Sequence, residues 1–168
     1  MIAKIILSIP KPLWFNFRYL PFRQAIHLPV WITLNCKIML LGGGVKCKVS
    51  KFAAIKIGFH EVPIMNPNDK TVINVNRDGL VIFDGSAHIG RGTKIHVAKG
   101  AILTLGDNFA ISASTQINCY KAITFGRDVQ FSWDCFVTDS DTHIISLWKN
   151  KELALILTRR LFLMTKCG

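Results

Sequence analysis

Between residues 89 and 143 the chain repeats with a period of six. Set out from Ile89 it reads IGRGTK, IHVAKG and AILT. From Leu105 it reads LGDNFA, ISASTQ, INCYKA and IT, and from Phe125 FGRDVQ, FSWDCF, VTDSDT and then His143. Eight hexads open on an apolar residue: Ile89, Ile95, Leu105, Ile111, Ile117, Phe125, Phe131 and Val137. Glycine follows at the head of each row (Gly90, Gly106, Gly126), and small residues such as Ala98, Ser112, Ala113 and Ser132 fill the space between. A period of six matches neither an amphipathic helix nor a simple alternating strand. It fits a parallel solenoid with three short sides to a turn, the opening residue of each hexad pointing inward and successive turns building one apolar column. A glycine after an inward residue suits a corner with positive φ or a close backbone approach. An antiparallel sandwich calls for Asn-Gly or Asp-Gly turns, and this stretch has none.

Composition narrows the rest. A length of 168 residues suits one domain, and a chain half apolar with only 18% charged residues is neither disordered nor collagen-like. The longest apolar run, Leu28 to Leu41, is broken by Asn35 and Lys37, so a spanning helix is not expected. Residues 1–9 carry Lys4 and no small-residue cleavage site before Pro10, which fits a secretory signal poorly. The five cysteines, Cys36, Cys47, Cys119, Cys135 and Cys167, lack CxxC spacing, which points to a reducing cytoplasm rather than a disulfide framework or a zinc site.

The net charge of +11 is uneven: residues 1–60 hold nine Lys or Arg and no acid. Phosphates, acidic lipid and phosphorylated cofactors all suit such a surface. No nucleic-acid motif accompanies it, so nucleic acid is not an expected partner. Trp14, Phe15, Phe17, Tyr19, Phe22 and Trp31 interleave with Arg18 and Arg23, a mixture found at membrane interfaces, although packing of the aromatics on the body of the domain is the commoner arrangement.

The hexads over about Lys56 to His143 resemble those of the hexapeptide-repeat acyltransferases, and the row ending in DSDTH resembles an acetyltransferase row. The opening WFNFRYLPFRQAIHLP is similar to the N-terminal segment of the branch found among bacterial surface-polysaccharide genes. This resemblance implies an all-β fold, the left-handed parallel β-helix, with residues 1–55 as an N-terminal capping segment and the helix over 56–145. It also implies O-acetyl transfer from acetyl-CoA to a sugar hydroxyl without an acyl-enzyme, in a cytoplasmic homotrimer whose active sites lie between solenoids. Independently of the resemblance, the basic and aromatic mixture of residues 1–60 suits a peripheral contact with the inner face of the membrane, as the alternative to plain packing.

Such a transfer needs a base for the hydroxyl proton and donors for the oxyanion. Histidine is the usual base near neutral pH. Of His27, His60, His88, His96 and His143, the first lies in the basic segment, His60 and His88 lie in loop-like sequence, and His96 follows an inward residue and so points outward. His143 closes a row just after Asp139 and Asp141, where a carboxylate can orient the ring. The resemblance makes His143 the general base, with Asp141 the first choice of orienting partner and Asp139 the second. It also places Asn118 near the acceptor, although INCY suits an ordinary turn equally well. Trp133 and Asp134 precede the base by one side of the coil and suit a sugar pocket, with plain packing the simpler role for Trp133. No third ligand accompanies the two acids, so no metal is expected.

From Ser146 the hexads stop, where members of the family continue into coils that form much of the coenzyme A slot. Synonymous codons for Ile156 to Gly168 can be chosen that, with a Leu155 codon ending in A and the frame shifted by one base, read NPNKKIVLDDKVW, close to the family's next coil. Residues 146–168 therefore read as out-of-frame sequence, with a native helix capping the solenoid as the alternative. A chain cut at this point is expected to transfer feebly, and an inactive scaffold or membrane-surface protein is the second functional reading. Nucleotidyl transfer is a third, poorly served by 88 preceding residues without a Gly-rich strand–loop–helix.

Overall fold

The computed structural model describes residues 9–60, 62–63, 65–66 and 68–140. Two helices, α1 (Pro10–Tyr19) and α2 (Phe22–Ala25), precede fourteen strands. These are β1 (Val30–Ile32), β2 (Cys36–Leu40), β3 (Gly44–Cys47), β4 (Ile55–Ile57), β5 (Thr71–Val75), β6 (Leu80–Phe83) and β7 (Ala87–Ile89), followed by β8 (Lys94–Val97), β9 (Ile102–Leu105), β10 (Phe109–Ala113), β11 (Gln116–Cys119), β12 (Ala122–Phe125), β13 (Gln130–Trp133) and β14 (Phe136–Thr138). Every third strand joins the same sheet, in the orders β1-β4-β7-β10-β13, β2-β5-β8-β11-β14 and β3-β6-β9-β12. All the pairings are parallel. The chain is a parallel β-solenoid of about five turns.

The hexad openers form the interior. Register stacks Ile57, Ile89, Ile111 and Phe131 in one column and Ile73, Ile95, Ile117 and Val137 in another. Ile89, Ile95, Leu105, Ile111, Ile117, Phe125 and Val137 are buried. Phe131 is half-buried and packs on the rings of Phe109 and Phe125 at 5.9 and 5.3 Å. Each such aliphatic residue withdrawn from water is worth roughly 1.5–3 kcal/mol, and the column repeats that gain coil after coil.

Two of the glycines after the inward residues, Gly90 and Gly106, answer to close approach rather than to positive φ. A Cβ on Gly90 would stand 1.8 Å from the Ser112 carbonyl oxygen, and one on Gly106 2.1 Å from that of Gly126. Positive φ instead falls on corner residues, among them Asp78, Asn108, Ser114, Asp128 and Asp134. Short polar side chains tolerate this region best among non-glycine residues. Asn108 Nδ2 also donates to Asp128 Oδ1 of the next coil at 2.8 Å, tying two corners together.

The solenoid begins earlier than the hexads indicate. The ladders take in Val30–Cys47, so the coil starts at residue 30 and not at 56. The inward residues Ile32 and Ile38 are six apart, but Val45 follows at seven, after a corner through Gly42 and Gly43. A further segment of about a dozen residues separates β4 from β5. Irregular corners hide the period while leaving the stacking intact.

The two helices close the first coil, as a capping segment should, with one side chain for each sheet. The buried amide of Asn16 donates to the Val30 carbonyl at 2.7 Å and accepts from the Val30 N–H at 3.2 Å, replacing the strand that β1 lacks on that side. Lys11 Nζ donates to the Leu34 and Cys36 carbonyls beside β2. Gln24 Nε2 donates to the Cys47 carbonyl of β3 at 2.9 Å. Phe15 drops between these contacts onto Val30, Ile38, Val45 and Ile57. Edge strands with open N–H and C=O rows invite further pairing, and this lid denies it.

Candidate active site

The outward side chains of β2, β5, β8, β11 and β14 form a polar row. Register sets Met39, Asn74, His96, Asn118 and Thr138 side by side, at the spacing of about 4.8 Å that parallel strands impose. His96 faces outward as its place after Ile95 requires, and its ring meets that of Tyr120 edge-on at 5.9 Å. Asn74 Oδ1 is buried with no partner among the described residues. Asn118 therefore sits between an imidazole and the Thr138 hydroxyl, on the strand next to the one that leads into DSDTH. Asp141 and His143 lie outside the described residues.

Asp139 serves the backbone of the preceding coil. The coil below passes from β8 to β9 through residues 98–101, whereas β11 reaches β12 through 120–121 alone. This tight corner turns three successive amides toward one point, and the Asp139 carboxylate accepts all three: Tyr120 at 2.6 Å, Lys121 at 2.8 Å and Ala122 at 2.7 Å. A carboxylate offers about four acceptor positions, so most of its capacity goes to the backbone. Cys119 lies beside this corner. Burial, followed by the charge of Asp139, pushes its thiol up to about 11, which keeps it unreactive.

Trp133 and Asp134 are placed apart from that row. Trp133 pairs in register with the inward Ala113, so it continues an interior column and is still 38% exposed. In a strand the inward positions alternate, and Trp133 shares the parity of Phe131. Asp134 holds the left-handed corner with φ of 54°, one coil above Ser114. The structure thus sets Asn118 on one sheet's outer face and Trp133 and Asp134 at the corner of another.

A second imidazole pair escaped the sequence reading. His88 is not in a loop but in β7, facing outward, with its ring 5.8 Å from that of His60. The alternation Ala87–His88–Ile89, buried on both sides, was the available signal. Its Nε2 is buried without a partner among the described residues. Burial, then the charges of His60 and Lys56, lower its pKa from 6.5. Unfolded, His88 takes up a proton near pH 6.5, while the folded residue does so only at lower pH. The unfolded state binds more protons in that window, so stability falls as the pH drops below 6.5 and levels off below the folded value. Denaturant midpoints measured on either side of pH 6.5 should show this loss, and His88→Gln should shrink it.

Among the described residues no group of three His, Cys, Asp or Glu is placed to hold a metal. None of their helices is long and apolar enough to cross a membrane. No family model matches the chain. No solved structure matches it either. A curated relative, described as an uncharacterized 24.8 kDa protein in the cps region of Klebsiella pneumoniae, is 24% identical over 130 residues. Those residues make up 77% of this chain, which spans only 56% of the relative's length. What the chain shares with the cps-region protein is thus most of its own length.

Proposed function

We propose that this protein is an O-acetyltransferase that moves an acetyl group from acetyl-CoA to a sugar hydroxyl in the making of a bacterial surface polysaccharide. The observation that carries the reading is the solenoid itself: inward residues stack coil upon coil to Val137, and the sequence follows them directly with Asp139, Asp141 and His143. The cps-region designation of the relative, a term for capsular polysaccharide genes, supports the same class of substrate.

In this scheme His143 takes the proton of the acceptor hydroxyl as its oxygen attacks the thioester carbonyl. The carbonyl electrons move onto oxygen and return as the carbon–sulfur bond breaks, and the proton on His143 passes to the departing coenzyme A thiolate. Asp141 holds the ring in the acceptor tautomer and stabilises its charged form. Asn118, on the strand beside β14, offers an amide to the acceptor. Buried thiols leave the described cysteines out of the chemistry: Cys36 and Cys47 are pushed up to about 12 by desolvation. Transfer therefore passes directly between two bound substrates.

Release of coenzyme A thiol from acetyl-CoA in the presence of sugar acceptors tests this. His143→Ala should lower the turnover number by about a hundredfold to ten-thousandfold, the usual worth of a general base, with an unchanged melting temperature. Equal thiol release from both proteins would overturn the assignment.

A further inference from the structure

Helix α1 is apolar on two opposite faces, and the described residues cover only one of them. Pro12, Phe15 and Asn16 turn inward and are buried. The opposite face carries Ile9, Leu13, Trp14 and Phe17, continued by Phe22 and Ile26 around α2. Trp14 is 57% exposed and Phe22 73%. Phe17 and Phe22 meet each other at 6.1 Å, and Trp14 stands edge-on at 5.6 Å to Tyr19, which packs on the core beside Phe15. A helix that is hydrophobic all round needs apolar surroundings on each side. Contiguous exposed aromatic surface of this kind marks an interaction site.

The charges around the patch choose its occupant. Arg18 and Arg23 are exposed at its rim, with the Arg18 guanidinium 5.8 Å from the Tyr19 ring, and residues 1–60 contain no Asp or Glu. A second copy meeting this face with its own would bring these cations together with no acid to offset them. An anionic bilayer surface complements both properties, taking aromatic and aliphatic side chains at headgroup depth while its phosphates meet the arginines. We propose that the outer face of α1 and α2 docks the solenoid on an anionic membrane, lying in the interface rather than crossing it. The acetyl-transfer reading is not needed for this proposal, and neither stands or falls with the other.

Flotation of the full chain with vesicles of phosphatidylglycerol and phosphatidylcholine tests it. The protein should float with these vesicles far more than with pure phosphatidylcholine, and brominated acyl chains should quench its tryptophan fluorescence. Phe17→Ser with Phe22→Ser should weaken binding by at least about tenfold, since each ring gives up apolar burial. Arg18→Gln and Arg23→Gln should each cost about fivefold and reduce the dependence on salt. All four side chains are exposed, so melting should not change. Failure of the unaltered chain to bind the anionic vesicles would overturn the proposal, and that result needs no variant. So would binding that the phenylalanine pair leaves untouched, which is adsorption by charge alone. A dimer in light scattering that the phenylalanine pair dissolves would assign the face to a second copy instead.

Discussion

Gly90→Ala should strip the solenoid of most of its stability, while Gly126→Ala, the same change at the same place in its row, should leave it nearly unaltered. At Gly90 the new methyl would stand 1.8 Å from the Ser112 oxygen, 2.4 Å from its carbonyl carbon and 2.7 Å from the Ile111 oxygen. All three are backbone atoms of β10, and Gly90 itself donates to the Ile111 carbonyl at 2.9 Å. No rotamer can move out of the way. The strands must part, against ladders on both sides that hold them about 4.8 Å apart. Overpacking against side chains already costs typically 1–3 kcal/mol, and a rigid backbone raises that to about 4 kcal/mol or more. A domain of this size has only about 5–15 kcal/mol in all. The melting temperature should fall by roughly 10 °C or more. Gly126 has nothing within 4 Å of its Cβ position and no positive φ, so its alanine should change stability by less than about 0.5 kcal/mol. Equal melting temperatures for the two variants would show that the rows do not stack in this register.

Ile117→Asp should be more damaging still. Ile117 is fully buried and stands in register between Ile95 and Val137. The substitution removes an aliphatic side chain worth about 2–5 kcal/mol and leaves a carboxyl group among hydrocarbons, a further cost of several kcal/mol. The sum approaches or exceeds the whole stability of the domain. Burial raises the pKa of such a carboxyl, because the charged form is the costlier one there. The folded state then binds more protons than the unfolded state, so acidification toward the raised pKa should restore part of the loss. Gln116→Asp, one residue away and exposed on the outer face, should be tolerated within about 0.5 kcal/mol. Circular dichroism of the two variants across pH distinguishes these outcomes. An Ile117→Asp protein that melts like the parent would place residue 117 outside the core.

Both contrasts rest on what the sequence makes visible. Ile95, Ile111 and Ile117 could be assigned to an interior column because identical demands recur in every coil, and a repeated demand is a pattern. The glycine rows were legible for the same reason, although sequence alone left open whether φ or contact required them. Coils before residue 56 were not legible, because the corner at Gly42–Gly43 and the segment between β4 and β5 shift the spacing, and stacking tolerates what periodicity does not. Around the site, sequence neighbours say less than the stacking does. Asp139 looked like a partner for an imidazole because its neighbours in sequence are Asp141 and His143, whereas the amides it serves lie some eighteen residues earlier. For Trp133 the sequence left a sugar pocket and plain packing both open, and only its pairing with Ala113 reveals an inward parity. Contacts across coils are long-range in sequence and leave no local mark. The lid residues Lys11, Asn16 and Gln24 belong to the same group.

The lid also bears on how these molecules behave in a crowd. A stack of parallel coils is open-ended by nature: whatever lies on its first layer is held as firmly as the layers within. Without Asn16 filling the place beside Val30, newly made chains would find one another end to end, and the geometry that builds one molecule would go on to build fibrils. Three polar side chains from a few turns of helix mark where one polymer of coils stops being a polymer of proteins.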